Sequence, residues 1–354
     1  MVDYLVVGLG LAGVSFCHTL EKENRSFVVF NDSSQRSSWV AGGIYNPLVL
    51  KRFKAAWHAE QQYQLLKPFY HSIEEKLGKD IDHPTPVLRR LASAEEQNMW
   101  FEAADKPRLS PFINPELYDY QNPSIDSPFG YGKVMGTGRI DTKLLVESYE
   151  AYLMKSGRLV RESLDPLRLE HKNDTVVYGS YKARRIVFCT GFGLSENPFF
   201  NYLPLTGTKG ELLTIKAPNL QEKHIIKSTA FLIPIGGELY RVGATYKWKD
   251  KTNTPTAEAR DELQVQLDKF LKCPYEVVDH IAGIRPTVTD RRPLVGCHPA
   301  YDNFYVLNGF GSRGVMIAPY ASGYLFNYIE NGQALPEEMD IRRFDQKFTQ
   351  SALN

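Results

Sequence analysis

The apolar run Tyr4 to Val7 is too short for a helix and is ended by Gly8. The pattern that follows, DYLVVGLGLAGVSFCHTLEKENRSFVVFN, predicts a strand, a glycine turn, a helix and a second strand. Phe53, Trp57, Leu66, Phe69, Tyr70, Ile73 and Leu77 recur at three- and four-residue steps and predict a long helix from about Lys54 to Leu77, stopped by Gly78. From His83 to Lys133 the texture changes to prolines, aromatics and short apolar runs, then to the crowded glycines of PSIDSPFGYGKVMGTGRI, which predicts strands and turns of a different domain. Asp141 is the expected N-cap of a helix with Leu144, Leu145, Tyr149, Tyr152 and Leu153 on one face, closed by Gly157. ARRIVFCTGFG then reads as a buried parallel strand opening onto a ligand at Thr190 and Gly191. GELLTI, FLIPIGG and LYRVGAT read as antiparallel strands, with a helix near Glu258 to Leu271 after them. The last segment, NFYVLNGFGSRGVMIAPYASGYLFNYIENG, repeats strand, glycine loop and helix, with Gly332 as its C-cap.

This alternation predicts two interleaved domains in an α/β chain: a Rossmann-type domain from 1–80, 137–204 and 281–354, and an α+β domain built on an antiparallel sheet from 81–136 and 205–280. The 354 residues, 43% of them hydrophobic, suffice for both cores. A net charge of +1 argues against a strongly basic nucleic-acid surface. Cys17, Cys189, Cys273 and Cys297 show neither a disulfide framework nor a CxxC spacing, and read as free thiols. There is no basic leader segment at Met1 and no apolar run of membrane-spanning length, so a soluble cytoplasmic protein is expected.

Gly8, Gly10 and Gly13 form GLGLAG, a GxGxxG match between a predicted strand and a predicted helix. The first glycine makes the turn, the second admits a pyrophosphate and the third lets helix and strand approach; the helix N-terminus then faces the anion. The acid expected about 20 residues on falls at Asn31 or Asp32. A neutral Asn31 followed by Ser33, Ser34 and Arg36 suits the 2′-phosphate of NADP; Asn31 and Asp32 together suit the unphosphorylated ribose of FAD. Beyond this point RSSWVAGGIYNP is a loop of small residues, which admits a large planar ring against backbone, and FAD becomes the leading reading.

These segments resemble the D-amino acid oxidase family of FAD-dependent oxidoreductases, and within it the glycine oxidases and the FAD oxidase half of the bifunctional tRNA wobble-uridine modification enzymes. The resemblance spans nearly the whole chain. It rests on GLGLAG, RSSWVAGG, FCTG at Cys189 to Gly191, TKGELLTI, AGIRPTVTDRRPLVG from Ala282 and GFGSRGVMIAP from Gly309. It implies non-covalent FAD, with Gly8, Gly10 and Gly13 on the pyrophosphate and Asn31 and Asp32 at the adenosine ribose. Ser37, Ser38, Gly42, Gly43 and Ile44 would line the flavin, Gly311, Ser312, Arg313, Gly314, Val315 and Met316 would reach its pyrimidine end, and Thr190 and Gly191 at the end of ARRIVFCTG would give a second edge for the same cofactor. Most family members carry Glu where this chain has Asn31. Cys297 does not match the family's covalent attachment motif.

The family oxidises a C–N bond by hydride transfer to the flavin, so no strong general base is required, and none of the eight histidines falls in a metal or triad pattern. Arg285 in GIRP matches the arginine that grips a substrate carboxylate. Arg313 is a second substrate candidate, or a flavin contact. Phe231 replaces a tyrosine whose hydroxyl helps to hold the carboxylate in glycine oxidases; Tyr240 or Tyr246 is a substitute donor. The substrate implied is a small amine or amino acid, with O2 or another electron acceptor. A tRNA substrate is the alternative, prompted by GSRGVMIAP and by Lys51, Arg52 and Lys54. A flavin-holding protein without turnover is the alternative prompted by Phe231 and Asn31.

Overall fold

The computed structural model describes residues 1–172 and 174–352. Two eight-stranded sheets organise it. The first has a parallel centre in which Val2–Val7 lies between Phe27–Phe30 and Tyr181–Phe188, with Val6 opposite both Val29 and Val187. Leu159–Val160 extends it beyond Phe27–Phe30, and Tyr301–Asn308 runs parallel to the second half of Tyr181–Phe188. Successive side chains of a strand point to opposite faces, and the central strand divides accordingly. Tyr4 and Val6 join a core with the helices Leu11–Lys22, Ala59–Leu77, Thr142–Lys155 and Gly314–Asn331, whereas Leu5 and Val7 join Leu194, Phe200 and Leu203 on the other side. Because all five strands run the same way, the turns at Gly8, Asn31, Thr190 and Gly309 open at one edge.

The second sheet runs in the order Glu276–Arg285, Thr208–Lys216, Leu239–Gly243, Phe231–Gly236, Ile225–Lys227, Val87–Arg90, Tyr131–Val134 and Ile113–Tyr118. Every neighbouring pair is antiparallel except Ile225–Lys227 with Val87–Arg90. One face buries Leu213, Ile215, Tyr240 and Val242 against Leu263 and Leu267 of the helix Ala257–Asp268. The opposite face, with Leu212 and Ile233, meets Gly42 of the first sheet's loops. The strand Glu276–Arg285 belongs to this sheet throughout and passes the expected boundary at residue 281.

Two elements differ from expectation. The long helix starts at Ala59, because His58 adopts a left-handed conformation and Lys54–Ala55 pairs as a short strand with Leu48–Val49. Phe53 is thereby released from the helix and packs edge-on against Trp100. Within the region expected to hold only strands and turns, Ala94–Ala104 is a helix, capped by Ser93 accepting from the Glu96 N–H at 3.2 Å. Among the described residues, no helix is long and apolar enough to cross a membrane.

Candidate cofactor and substrate site

The glycine turn is shaped by close approach. A Cβ on Gly8, whose φ is +94°, would stand 2.7 Å from the Cys189 carbonyl oxygen, and one on Gly13 would stand 2.0 Å from the Gly8 oxygen. Gly10 caps the helix Leu11–Lys22 with no side chain to satisfy its first N–H groups, and the first turn holds no acid. Ser38 takes one of these donors: the Leu11 N–H donates to its Oγ at 3.0 Å. Asn31 Oδ1 accepts from the Leu9 N–H at 3.2 Å, so its amide fastens the glycine turn. Asp32 accepts from the Ser34 N–H at 2.9 Å. Partial burial alone would raise the Asp32 carboxyl, but bonds from Ser34 and Ser163 hold it below its usual value.

The loop after Ser37–Val40 is held at both ends. Arg241 Nη1 donates to the Ala41 carbonyl at 3.1 Å, and Arg313 donates to the carbonyls of Asn46 and Leu48, each at 2.8 Å. Between them lie Gly42, Gly43 and Ile44. Gly43 has φ +71° and leaves no room for a side chain, since a Cβ would sit 1.9 Å from the Ile140 oxygen. Ile44 pairs with Arg139. Ser37 comes close to the second sheet, its Cα 3.3 Å from where a Gly283 Cβ would be.

At the neighbouring strand end, Thr190 Oγ1 is buried without a hydrogen-bond partner among the described residues, and Gly191 turns with φ +56°. Gly311 donates its N–H to the Pro286 carbonyl at 3.1 Å, which brings the last glycine loop beside Arg285. Ser312 is exposed, Gly314 opens the helix Gly314–Asn331 without an acid in its first turn, and Val315 and Met316 are buried in the core beneath it. The side chains of Val315 and Met316 face that core, leaving backbone for any ligand.

FAD fits these residues: a glycine cradle that side chains would fill, two helix N-termini free of acids, and an orphaned buried hydroxyl at Thr190 all lie at one edge of the parallel sheet.

On the substrate side, Arg285 Nη1 donates to the Thr245 carbonyl at 3.2 Å, and its Cζ lies 4.2 Å from the centre of the Tyr246 ring. Gly210 flanks the guanidinium as well. Arg285 has no ion-pair partner among the described residues, which leaves part of its planar fork for an incoming carboxylate. Burial lowers the pKa of Arg285 and of Arg313, although a guanidinium stays charged at neutral pH. Arg313 spends both terminal nitrogens on backbone carbonyls, which ties it to the loop rather than to a substrate. Tyr246 is 53% exposed. Phe231 lies opposite Gly243, under the Lys227 ammonium at 4.6 Å. Tyr240 is no substitute for the missing hydroxyl, because alternation turns it to the other face, where its oxygen accepts from the Glu222 N–H at 3.0 Å.

Sequence reading missed Gly210 and Arg241. It also missed Lys209, fully buried and bonded to Asp250 at 2.5 Å beneath this strand. Only the strand alternation of TKGELLTI and LYRVGAT carried a signal for them. Cys297 is a packed thiol whose burial pushes its pKa up to about 11, away from reactivity. Among the described residues, no group of three or more His, Cys, Asp or Glu is placed to hold a metal ion.

Residues 3–327 match the family model described as DAO, FAD dependent oxidoreductase. The chain is 23% identical to the glycine oxidase of Bacillus subtilis (strain 168), over 98% of this chain and 97% of that one. It is also 23% identical to the tRNA 5-methylaminomethyl-2-thiouridine biosynthesis bifunctional protein MnmC of Legionella pneumophila (strain Corby), over 92% of this chain but 54% of that one. Among solved structures, glycine oxidase from Geobacillus kaustophilus superposes with a TM-score of 0.77 at 19% identity, covering 97% of each chain. Of the two dinucleotides that the glycine turn left open, the matched family takes FAD.

Proposed function

This chain belongs to the family of FAD dependent oxidoreductases, and on that premise we propose that it oxidises the C–N bond of a carboxylate-bearing amine or amino acid. The observation that carries the reading is Arg285: a desolvated guanidinium beside the last glycine loop, held flat by Gly210 and Tyr246 and lacking a carboxylate partner among the described residues. When bound, FAD supplies a two-electron acceptor for the hydride on the carbon next to nitrogen, leaving an imine that water hydrolyses. The chain's own residues bind and orient. Arg285 fixes the carboxylate, and Phe231 and Ile233 offer apolar surface near Gly42. Molecular oxygen or another acceptor takes up the electrons afterwards, and the four free cysteines suit a reducing, cytoplasmic setting.

The test is an anaerobic visible spectrum during titration with glycine, sarcosine, D- and L-amino acids and proline analogues. Bleaching of the flavin band by one class, weakened at least tenfold in apparent affinity by Arg285→Met, supports the reading. A band that only dithionite bleaches rejects it in favour of a flavin-holding protein without turnover. A second reading, oxidation of a tRNA side chain, is favoured by Lys51, Arg52 and Lys54, which are exposed and without ion-pair partners among the described residues. Salt-sensitive retention of tRNA supports that reading, and absence of binding at low salt excludes it.

A further inference from the structure

Arg241 lies opposite Ile233 on one neighbouring strand and Thr214 on the other, on the sheet face that looks at the cofactor loop. Its Nη1 donates to the Ala41 carbonyl at 3.1 Å and approaches that of Val40 at 3.5 Å. Its Nε is buried and has no hydrogen-bond partner among the described residues. Asp141 and Asp279 attract its charge through space without forming an ion pair with it, and the like charge of Arg139 opposes them. Asp141 is engaged elsewhere, with Arg139 at 3.2 Å and with the Leu144 N–H at 3.1 Å.

Burying a cation without a carboxylate partner costs free energy that an aliphatic side chain, packed against Ile233, would not incur. Carbonyl dipoles offset part of that cost and none of the net charge. With Arg313 at the other end, two cations without an ion-paired carboxylate among the described residues flank the short loop Gly42, Gly43, Ile44.

We propose that Arg241 is an electrostatic positioning residue for the cofactor, whose charge behind the Ala41 carbonyl favours the more negative, reduced form of the bound flavin. It exchanges no electron or proton: the flavin gains two electrons from the substrate carbon, and Arg241 stabilises the charge that accumulates. The inference rests on the placement of the flavin against Gly42 to Ile44. A unit charge about one loop away, in a medium of protein-like dielectric, changes such an equilibrium by roughly tenfold.

The experiment is anaerobic reduction of the FAD-loaded protein in equilibrium with an indicator dye, for wild type, Arg241→Met, Arg241→Lys and Arg241→Gln. The neutral variants should shift the equilibrium toward oxidised flavin about tenfold, which is about 30 mV for a two-electron couple. Arg241→Lys keeps the charge while losing the guanidinium's grip on the two carbonyls, and should stay within about threefold of wild type. Equal shifts in the lysine and neutral variants, an unshifted methionine variant, or loss of FAD from all three variants overturns the proposal in favour of simple loop anchoring. Ile44→Ala tests the placement separately. A changed visible spectrum of its bound flavin keeps the flavin on this loop; an unchanged one removes the placement, and the proposal with it.

Discussion

A Cβ on Gly210 would fall 2.0 Å from Nη2 of Arg285 and 2.2 Å from its Cζ, so the guanidinium occupies the space that a side chain at residue 210 would take. Near-equal distances to three guanidinium atoms put Gly210 against the flat face of the group, leaving the rest of its edge open. Gly210→Ala should displace the flexible end of Arg285 while sparing the sheet. The expected outcome is a rise of at least tenfold in KM for a carboxylate-bearing amine, with kcat within about threefold and Tm within a few degrees of wild type. Steady-state kinetics beside a thermal melt checks this. An unchanged KM would mean that Arg285 is not the carboxylate site.

Asn31 should matter to cofactor affinity through the turn it fastens. Its Oδ1 accepts from Leu9 N–H, inside the segment that cradles the pyrophosphate. Asn31→Ala removes that acceptor, at a cost of about 1 kcal/mol for one hydrogen bond. FAD affinity should fall about five- to tenfold, read by quenching of flavin fluorescence on titrating apoprotein. Asn31→Asp retains an acceptor and should lose less.

These two residues mark how far sequence reading reaches. The demands on Gly8, Gly10 and Gly13 are steric and local, so spacing alone reveals them, as it does the cap at Asp141. The helix Ala94–Ala104 carried its own signal in Ser93 and Glu96, but the prolines and aromatics around it obscured the pattern. The sequence marks Arg313 as a candidate site residue but not as a loop anchor, because its acceptors are backbone carbonyls of residues 46 and 48, which no sequence pattern advertises. Arg241 and Gly210 acquire meaning only from register: one faces Ala41 across the sheet interface, and the other lies under a side chain from the paired strand. The choice between Tyr240 and Tyr246 as a substitute donor depends on register too, since one position of alternation sends the Tyr240 hydroxyl to the opposite face.

Thr190 gives a test that separates cofactor binding from folding. Its hydroxyl is buried with no hydrogen-bond partner among the described residues, so Thr190→Val removes a group that the protein's own side chains and backbone leave unsatisfied. Apoprotein stability should be unchanged or slightly higher, whereas FAD affinity should fall about three- to tenfold. A melt of apoprotein paired with a flavin titration checks both, and equal FAD affinity would place the flavin away from this strand end.

His298 and His18 should dominate the response of stability to mild acid. Burial pulls both pKa values down from 6.5 to about 4, with the Lys76 charge adding to the effect at His18. A folded-state pKa below the unfolded one means that the unfolded chain binds more protons between these values. The stability associated with each neutral imidazole is therefore full above about pH 6.5 and is lost as pH falls toward 4. Tm should be flat from pH 8 to 7 and decline below 6.5. His298 is ringed by Phe200, Tyr301 and Phe348, and its Nδ1 accepts from the Ala300 N–H at 3.0 Å, a bond that requires the neutral ring. His298→Gln should flatten the acid limb by about one proton in linked uptake while lowering Tm at pH 7.5. An acid limb of unchanged slope in that variant would assign the proton uptake to other groups.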